Sequence, residues 1–342
     1  MLTLRKPQLA ATKQKQDFYL LLAFISISFL VVFYLSLRFG AKSLSHEELL
    51  HILFNQSDNS RQSTILWNLR LPRIIGAILV GAALAVSGAL MQGITRNPIA
   101  DPGLLGVNSG AGLALVIAYA IFHHLHYSLI ILVCLIGASL ASLIIFGLSY
   151  QVGRGYQQLR LILAGAMVST LFMALGQAIT NYFHLANAII GWQAGGLVAT
   201  NWKMIAYVAP LILTALMIAQ LLSYQLTILN LNENQAKALG QSTIKMTLIL
   251  MALVLILSAA AVALAGSIAF VGLIIPHLIK KYIPQTYQLS LPLIALTGST
   301  FLLLVDLLCR AINPPVETPL TALVSLIGFP AFLWLVRKGD KL

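Results

Sequence analysis

Few residues in this chain could do covalent or metal chemistry: nine acidic residues, seven histidines and two cysteines among 342 positions. A zinc protease needs HExxH, a serine hydrolase needs GxSxG, and an aspartyl enzyme needs two carboxylates sharing a site. None of these patterns is present. His123, His124 and His126 crowd one polar turn without acidic neighbours, so solvated side chains are expected there. Cys134 and Cys309 sit in apolar stretches, with neither zinc spacing nor a disulfide framework. Gly88 to Gly93 has the GxxxxG spacing of a phosphate loop, but Ile94 stands where the lysine belongs. The chain is therefore expected to hold no catalytic residue, no metal and no cofactor of its own. Asp306 is the one ionisable candidate inside an apolar run, and Arg310 at i+4 suits it for a local ion pair. His277, beside Pro276, reads as a packed structural histidine. A proton-coupled carrier would have to relay through Asp306 and His277, and a polytopic enzyme would lack its acids, metal or nucleophile.

The surrounding elements explain this poverty. The chain is 59% hydrophobic and 9% charged, with a mean hydropathy of +0.91, against roughly 25% charged residues in soluble domains. Such a chain needs lipid as its solvent. The net charge of +12 is scattered singly between apolar runs, which points to membrane topology and away from nucleic acid. At about 20 residues per span, single spans fit Phe18 to Leu37, Ile74 to Thr95, Met204 to Ser223, Met246 to Leu264, Tyr287 to Val305 and Leu320 to Val336. Pro102 to Gly153 holds two, and Leu161 to Trp202 holds one plus a Gly-rich segment at Gly191 to Gly196. Gly266 to Ile283, short and carrying Pro276, is the doubtful tenth. Both tails are basic, so both ends are expected in the cytoplasm and the count must be even. An all-α, polytopic protein of ten transmembrane helices follows, as a single domain over 1–342 with cytoplasmic tails 1–17 and 337–342. Fourteen basic residues then lie inside and seven outside. The first apolar run is too long for a signal peptide and is expected to remain as a span.

Three features suggest partners. Arg70 and Arg73, in Leu69-Arg70-Leu71-Pro72-Arg73, stand at the external start of the second span, on the wrong side for the charge bias and at the positive end of a helix dipole. Two unfavourable placements in one motif call for an acidic partner outside. On the inner side, Asn230 to Gly240 encodes a two-turn helix: Asn232 as cap, Gln235 at the capping-box position and Gly240 as stop. Ala236 and Leu239 are expected on one side of that knob. Third, Arg96-Asn97-Pro98-Ile99-Ala100-Asp101-Pro102-Gly103 is a stiff turn between the second and third spans, suited to an inner gate. Gly76, Gly81, Ala85 and Gly88, with Gly106 and Gly110, read as close helix packing.

The run LRLPRIIGAILVGAALAVSGALMQGITRNPIADPGLLGVNSGAG, Leu69 to Gly112, resembles the most distinctive block of the FecCD-type permease subunits of ABC importers for ferric siderophores, haem and cobalamin. LILAGAMVS (Leu161 to Ser169), NENQAKALG (Asn232 to Gly240), GSIAFVGLIIPH (Gly266 to His277) and GFPAFLWLVRK (Gly328 to Lys338) extend the likeness over nearly the whole chain. The resemblance implies a type II ABC importer permease fold in the bacterial inner membrane. It implies a homodimer or heterodimer of permeases on a cytosolic ATPase that carries the ATP and Mg, fed by a periplasmic or lipid-anchored binding protein. Ferric siderophore is the expected cargo, with haem or cobalamin as alternatives. The implied sites are Arg70, Arg73 and Arg310 for docking the binding protein. Asn232, Glu233, Gln235, Ala236, Leu239 and Gly240 form the helix coupled to the ATPase, and Asn97, Pro98 and Ile99 the cytoplasmic gate. The chain departs from the family pattern at Lys280, Lys281 and Tyr282 to Thr286, and at Glu317 to Thr321.

Overall fold

A computed structural model describes residues 5–40, 42–54, 60–122, 125–151, 155–156, 158–231, 233–283, 286–314 and 316–338. His123, His124 and Asn232 lie outside the described residues.

The chain is a helical bundle. In order it runs α1 (Arg5–Arg38), α2 (His46–Phe54), α3 (Arg61–Thr64), a π-helical turn (Ile65–Arg70), α4 (Leu71–Thr95), a 3-10 turn (Pro102–Leu105), α5 (Val107–Ile121) and α6 (Tyr127–Ser149). A two-residue antiparallel pairing, Tyr150 with Tyr156, follows. Then come α7 (Gln158–Tyr182), α8 (Ala186–Gln193), α9 (Trp202–Leu221), α10 (Ser223–Leu229), α11 (Glu233–Ala238), α12 (Thr243–Ala265), α13 (Val271–Tyr282), α14 (Tyr287–Ala311) and α15 (Leu320–Lys338).

Among the described residues, seven helices are long and apolar enough to cross a bilayer, and α5 and α15 are shorter apolar helices. The doubtful tenth span is α13, whose 12 residues rise about 18 Å at 1.5 Å each, roughly half a bilayer. It starts inside the bundle because α12 stops at Gly266 (φ 74°) and the chain passes Phe270 (φ 69°) before turning helical again.

The centre of the bundle is α4, packed against α9, α12, α13 and α14. Pro72 occupies its first turn, where a missing N–H costs nothing. Its glycines set the spacing. A Cβ on Gly81 would strike the backbone of Gly298 in α14, and one on Gly88 would strike Gly272 in α13. Gly110 of α5 meets Gly137 of α6 in the same way. Small residues thus allow backbone approach where apolar burial in lipid gives no drive between helices.

Candidate functional site

The two ends of α4 carry two separate polar constellations. The first gathers around the start of α4 and the last turn of α14. Arg73 Nε donates to Asp306 Oδ1 at 2.7 Å, and Arg73 Nη1 donates to Glu317 Oε1 at 2.7 Å. Arg310 Nη2 stands 3.1 Å from Asp306 Oδ2. Asp306 is fully buried, so one carboxylate is shared by two guanidiniums inside the bundle. The local pair with Arg310 is present, and the second cation comes from 233 positions away.

Arg70 takes a different role. Its Nη1 donates to the carbonyls of Leu37 (2.6 Å) and Arg38 (3.1 Å), and its Nη2 to the carbonyl of Lys42. Arg310 Nη1 reaches the Ser36 carbonyl at 3.5 Å. The last turn of α1 leaves carbonyls without helical partners and forms the negative end of its dipole. Arg70 is therefore badly placed for α4 but well placed for α1. Gly40 sits between the two cations: a Cβ there would stand 3.3 Å from Arg70 Nη2 and 3.6 Å from Arg310 Nη1.

Arg70, Arg73 and Arg310, the residues expected to dock an acidic partner, are all buried, and Arg73 and Arg310 find carboxylates within the chain. The reason is topological: α14 packs along α4 and brings Asp306 alongside Arg73. Asp306 is thus held between two arginines inside the bundle.

Beside this cluster lies a cavity of about 520 Å³, lined by Arg73, Tyr119, Trp192, Cys309 and Glu317 among others. Trp192, at the end of α8, also walls a second cavity of about 350 Å³ with Asn108, Phe172 and Gln177.

The second constellation is at the other end of α4. Arg96 closes that helix in the left-handed conformation (φ 53°), and its Nε donates to the Leu229 carbonyl of α10 at 3.0 Å. Asn97 Oδ1 accepts from the Ile99 N–H at 3.1 Å, and the Ala100 N–H reaches the Asn97 carbonyl at 3.1 Å. Pro98 sits inside that turn, and Ile99 is exposed. Asp101 Oδ1 caps the 3-10 turn through the Gly103 N–H at 2.7 Å, while burial pushes its carboxyl above the usual range. The expected stiff turn is made by these side-chain bonds to the backbone.

The short helix α11 lies beside α10 and α12 at this end. Gly240 has φ 79°, and the Gln241 N–H returns to the Ala236 carbonyl at 3.1 Å, which is a Schellman stop. Gln235 is exposed; the side chain of Glu233 is outside the described set. Ala236 is fully buried, whereas Leu239 is 62% exposed. The expectation that they share a face fails. Residues three apart share a face only within a helix, and Leu239 follows the last helical residue, Ala238, where the chain turns into the left-handed Gly240.

Two sites escaped the sequence reading. Glu317 belongs to the outlying turn that departs from the expected pattern, and no local spacing ties it to Arg73. Lys280 of α13 donates to Tyr287 Oη of α14 at 2.6 Å and stands 4.5 Å from that ring's centre. This pair joins the helices flanking the irregular loop, of which residues 284 and 285 are outside the described set.

A profile of the FecCD transport family matches residues 28–338. The chain belongs to the FecCD transport family. Curated FecCD-like relatives include the iron(3+)-hydroxamate import system permease protein FhuB of Bacillus subtilis, 38% identical over 308 residues that cover 90% of this chain and 80% of that protein. The hemin transport system permease protein HmuU of Yersinia pestis is 37% identical over 329 residues, covering 93% and 96%. A solved structure described as an inward-facing metal-chelate type ABC transporter superposes with a TM-score of 0.82 at 32% identity, covering 94% of this chain and 99% of that one. This FecCD member is thus a multi-pass membrane permease of the ABC-importer type.

Proposed function

We propose that this FecCD chain is the membrane-spanning subunit of an ATP-driven importer whose cargo is a ferric siderophore. The reading is supported by the relatives named for iron-hydroxamate and hemin import. The structural observation that carries it is the separation of its polar groups. An arginine-rich cluster sits at one end of α4, and a stiff turn with the exposed Leu239 of α11 sits at the other.

On this reading the Arg70 end faces outward in a bacterial inner membrane and receives a periplasmic or lipid-anchored binding protein through the region of Arg70, Arg73 and Arg310. The Arg96 end faces the cytoplasm, as do both termini. There the segment Asn232 to Gly240, which contains α11, couples to an ATPase that carries ATP and Mg, and Asn97, Pro98 and Ile99 gate the exit. The whole chain acts as one domain, paired with a second permease copy or a paralogue. The permease needs only different contacts with its partners in two states for nucleotide turnover to move cargo.

Uptake of a radio-iron siderophore into proteoliposomes containing permease, ATPase and binding protein tests this. Vanadate should abolish uptake and a protonophore should leave it intact. Uptake abolished by the protonophore and indifferent to vanadate would overturn the proposal.

A further inference from the structure

We propose that Glu317 is a resident stand-in for a carboxylate of the docking partner, and that docking exchanges one for the other on Arg73. The inference deepens the docking role proposed above and rests on it.

Arg73 is 8% exposed, so an outside acid has no free approach to its guanidinium. One edge, Nε, is taken by Asp306, which is fully buried on α14. The other, Nη1, is taken by Glu317, whose side chain is 33% exposed and which lies on the non-helical segment between α14 and α15. Only Glu317 can leave. Its departure alone would strand a buried cation, which is strongly unfavourable; replacement by another carboxylate keeps Arg73 paired throughout.

The cluster also has room for one more negative charge. Arg70, Arg73 and Arg310 face Asp306 and Glu317, and the bonds of Arg70 go to backbone carbonyls. A partner presenting two carboxylates would take the place of Glu317 with one and offset the surplus cation with the other. A lysine-rich or apolar partner would not.

Exchange has a mechanical consequence. Glu317, Thr318 and Pro319 wall the 520 Å³ cavity together with Cys309. The Thr318 N–H bonds the Cys309 carbonyl at 3.2 Å, and Thr321 Oγ1 bonds the carbonyls of Ala194 (2.8 Å) and Ser267 (2.9 Å). Releasing Glu317 frees a segment tied both to the turn after α8 and to the break between α12 and α13. A docking event at the surface is thereby linked to the wall of that cavity.

The test uses the full chain assembled with its ATPase in nanodiscs, titrated with the purified binding protein of its own uptake system. Glu317→Gln should tighten binding at least fivefold, because a neutral amide competes weakly for Arg73. Arg73→Gln should weaken it at least tenfold. Unchanged binding in Arg73→Gln overturns the docking role itself. Weakened binding there, with no tightening in Glu317→Gln, overturns the exchange and leaves docking standing. A second measurement needs no partner: alkylation of Cys309 by a polar maleimide, with buried Cys134 of α6 as internal reference. Glu317→Gln should speed labelling of Cys309 alone. Unchanged labelling, or equal acceleration at both cysteines, overturns the role of Glu317 as a wall.

Discussion

Asp306 in the last turns of α14 accepts a 2.7 Å hydrogen bond from Arg73 in the first turn of α4, and no part of either side chain is well exposed. Removing one partner of such a pair leaves an uncompensated charge in a low-dielectric site. Asp306→Asn keeps the shape but removes the charge, leaving Arg310 with carbonyl contacts alone. We expect a loss of about 3–5 kcal/mol in unfolding free energy, measured by steric trapping in bicelles. A change below about 1 kcal/mol would show that the carboxylate is not the keystone of this end.

Arg70 makes a separable prediction because it serves α1. Arg70→Leu strips donors from the carbonyls of Leu37, Arg38 and Lys42, although that of Arg38 keeps the Leu44 N–H at 2.9 Å. Unsatisfied polar groups of this kind cost about 1–3 kcal/mol. The end of α1 should fray, and trypsin should cut faster after Arg38 or Lys42. Identical cleavage kinetics in the variant would count against the capping role.

Glycine spacing predicts a graded series. Gly88→Leu forces side-chain atoms into the Gly272 backbone, whereas a Cβ on Gly147 of α6 meets nothing within 4 Å. The Gly88 variant should fail to accumulate in membranes, and Gly147→Leu should accumulate normally. Equal membrane levels of the two would remove close approach as the reason for α4's glycines.

The α11 knob separates folding from partner binding. Leu239 is largely exposed, so Leu239→Asp should leave the permease intact while the ATPase no longer co-purifies with it. Gly240→Ala instead strains a left-handed stop (φ 79°) and should destabilise the turn by roughly 1 kcal/mol. Full retention of the ATPase by Leu239→Asp would argue against α11 as the coupling element.

Much of this architecture is legible in the residues. Pro72 marks the start of α4, the glycines mark its contacts, and Gly240 marks the stop of α11, because each acts on its own stretch of backbone. The family motifs are equally local. The half-length α13 was only partly legible: Pro276 flagged a short element, but the break at Gly266 and Phe270 depends on what those residues pack against.

The amino-acid order by itself determined that this is a lipid-solvated helical permease, since hydropathy, charge bias and turn residues operate over tens of positions or fewer. Only the tertiary structure decided what its arginines do. Arg70 reads as a misplaced cation until α1 ends beside it, and Arg73 reads as an unpaired one until α14 brings Asp306 and the following turn brings Glu317. An ion pair across more than 200 residues leaves no periodic trace in the chain, because its geometry belongs to helix packing and not to any one helix.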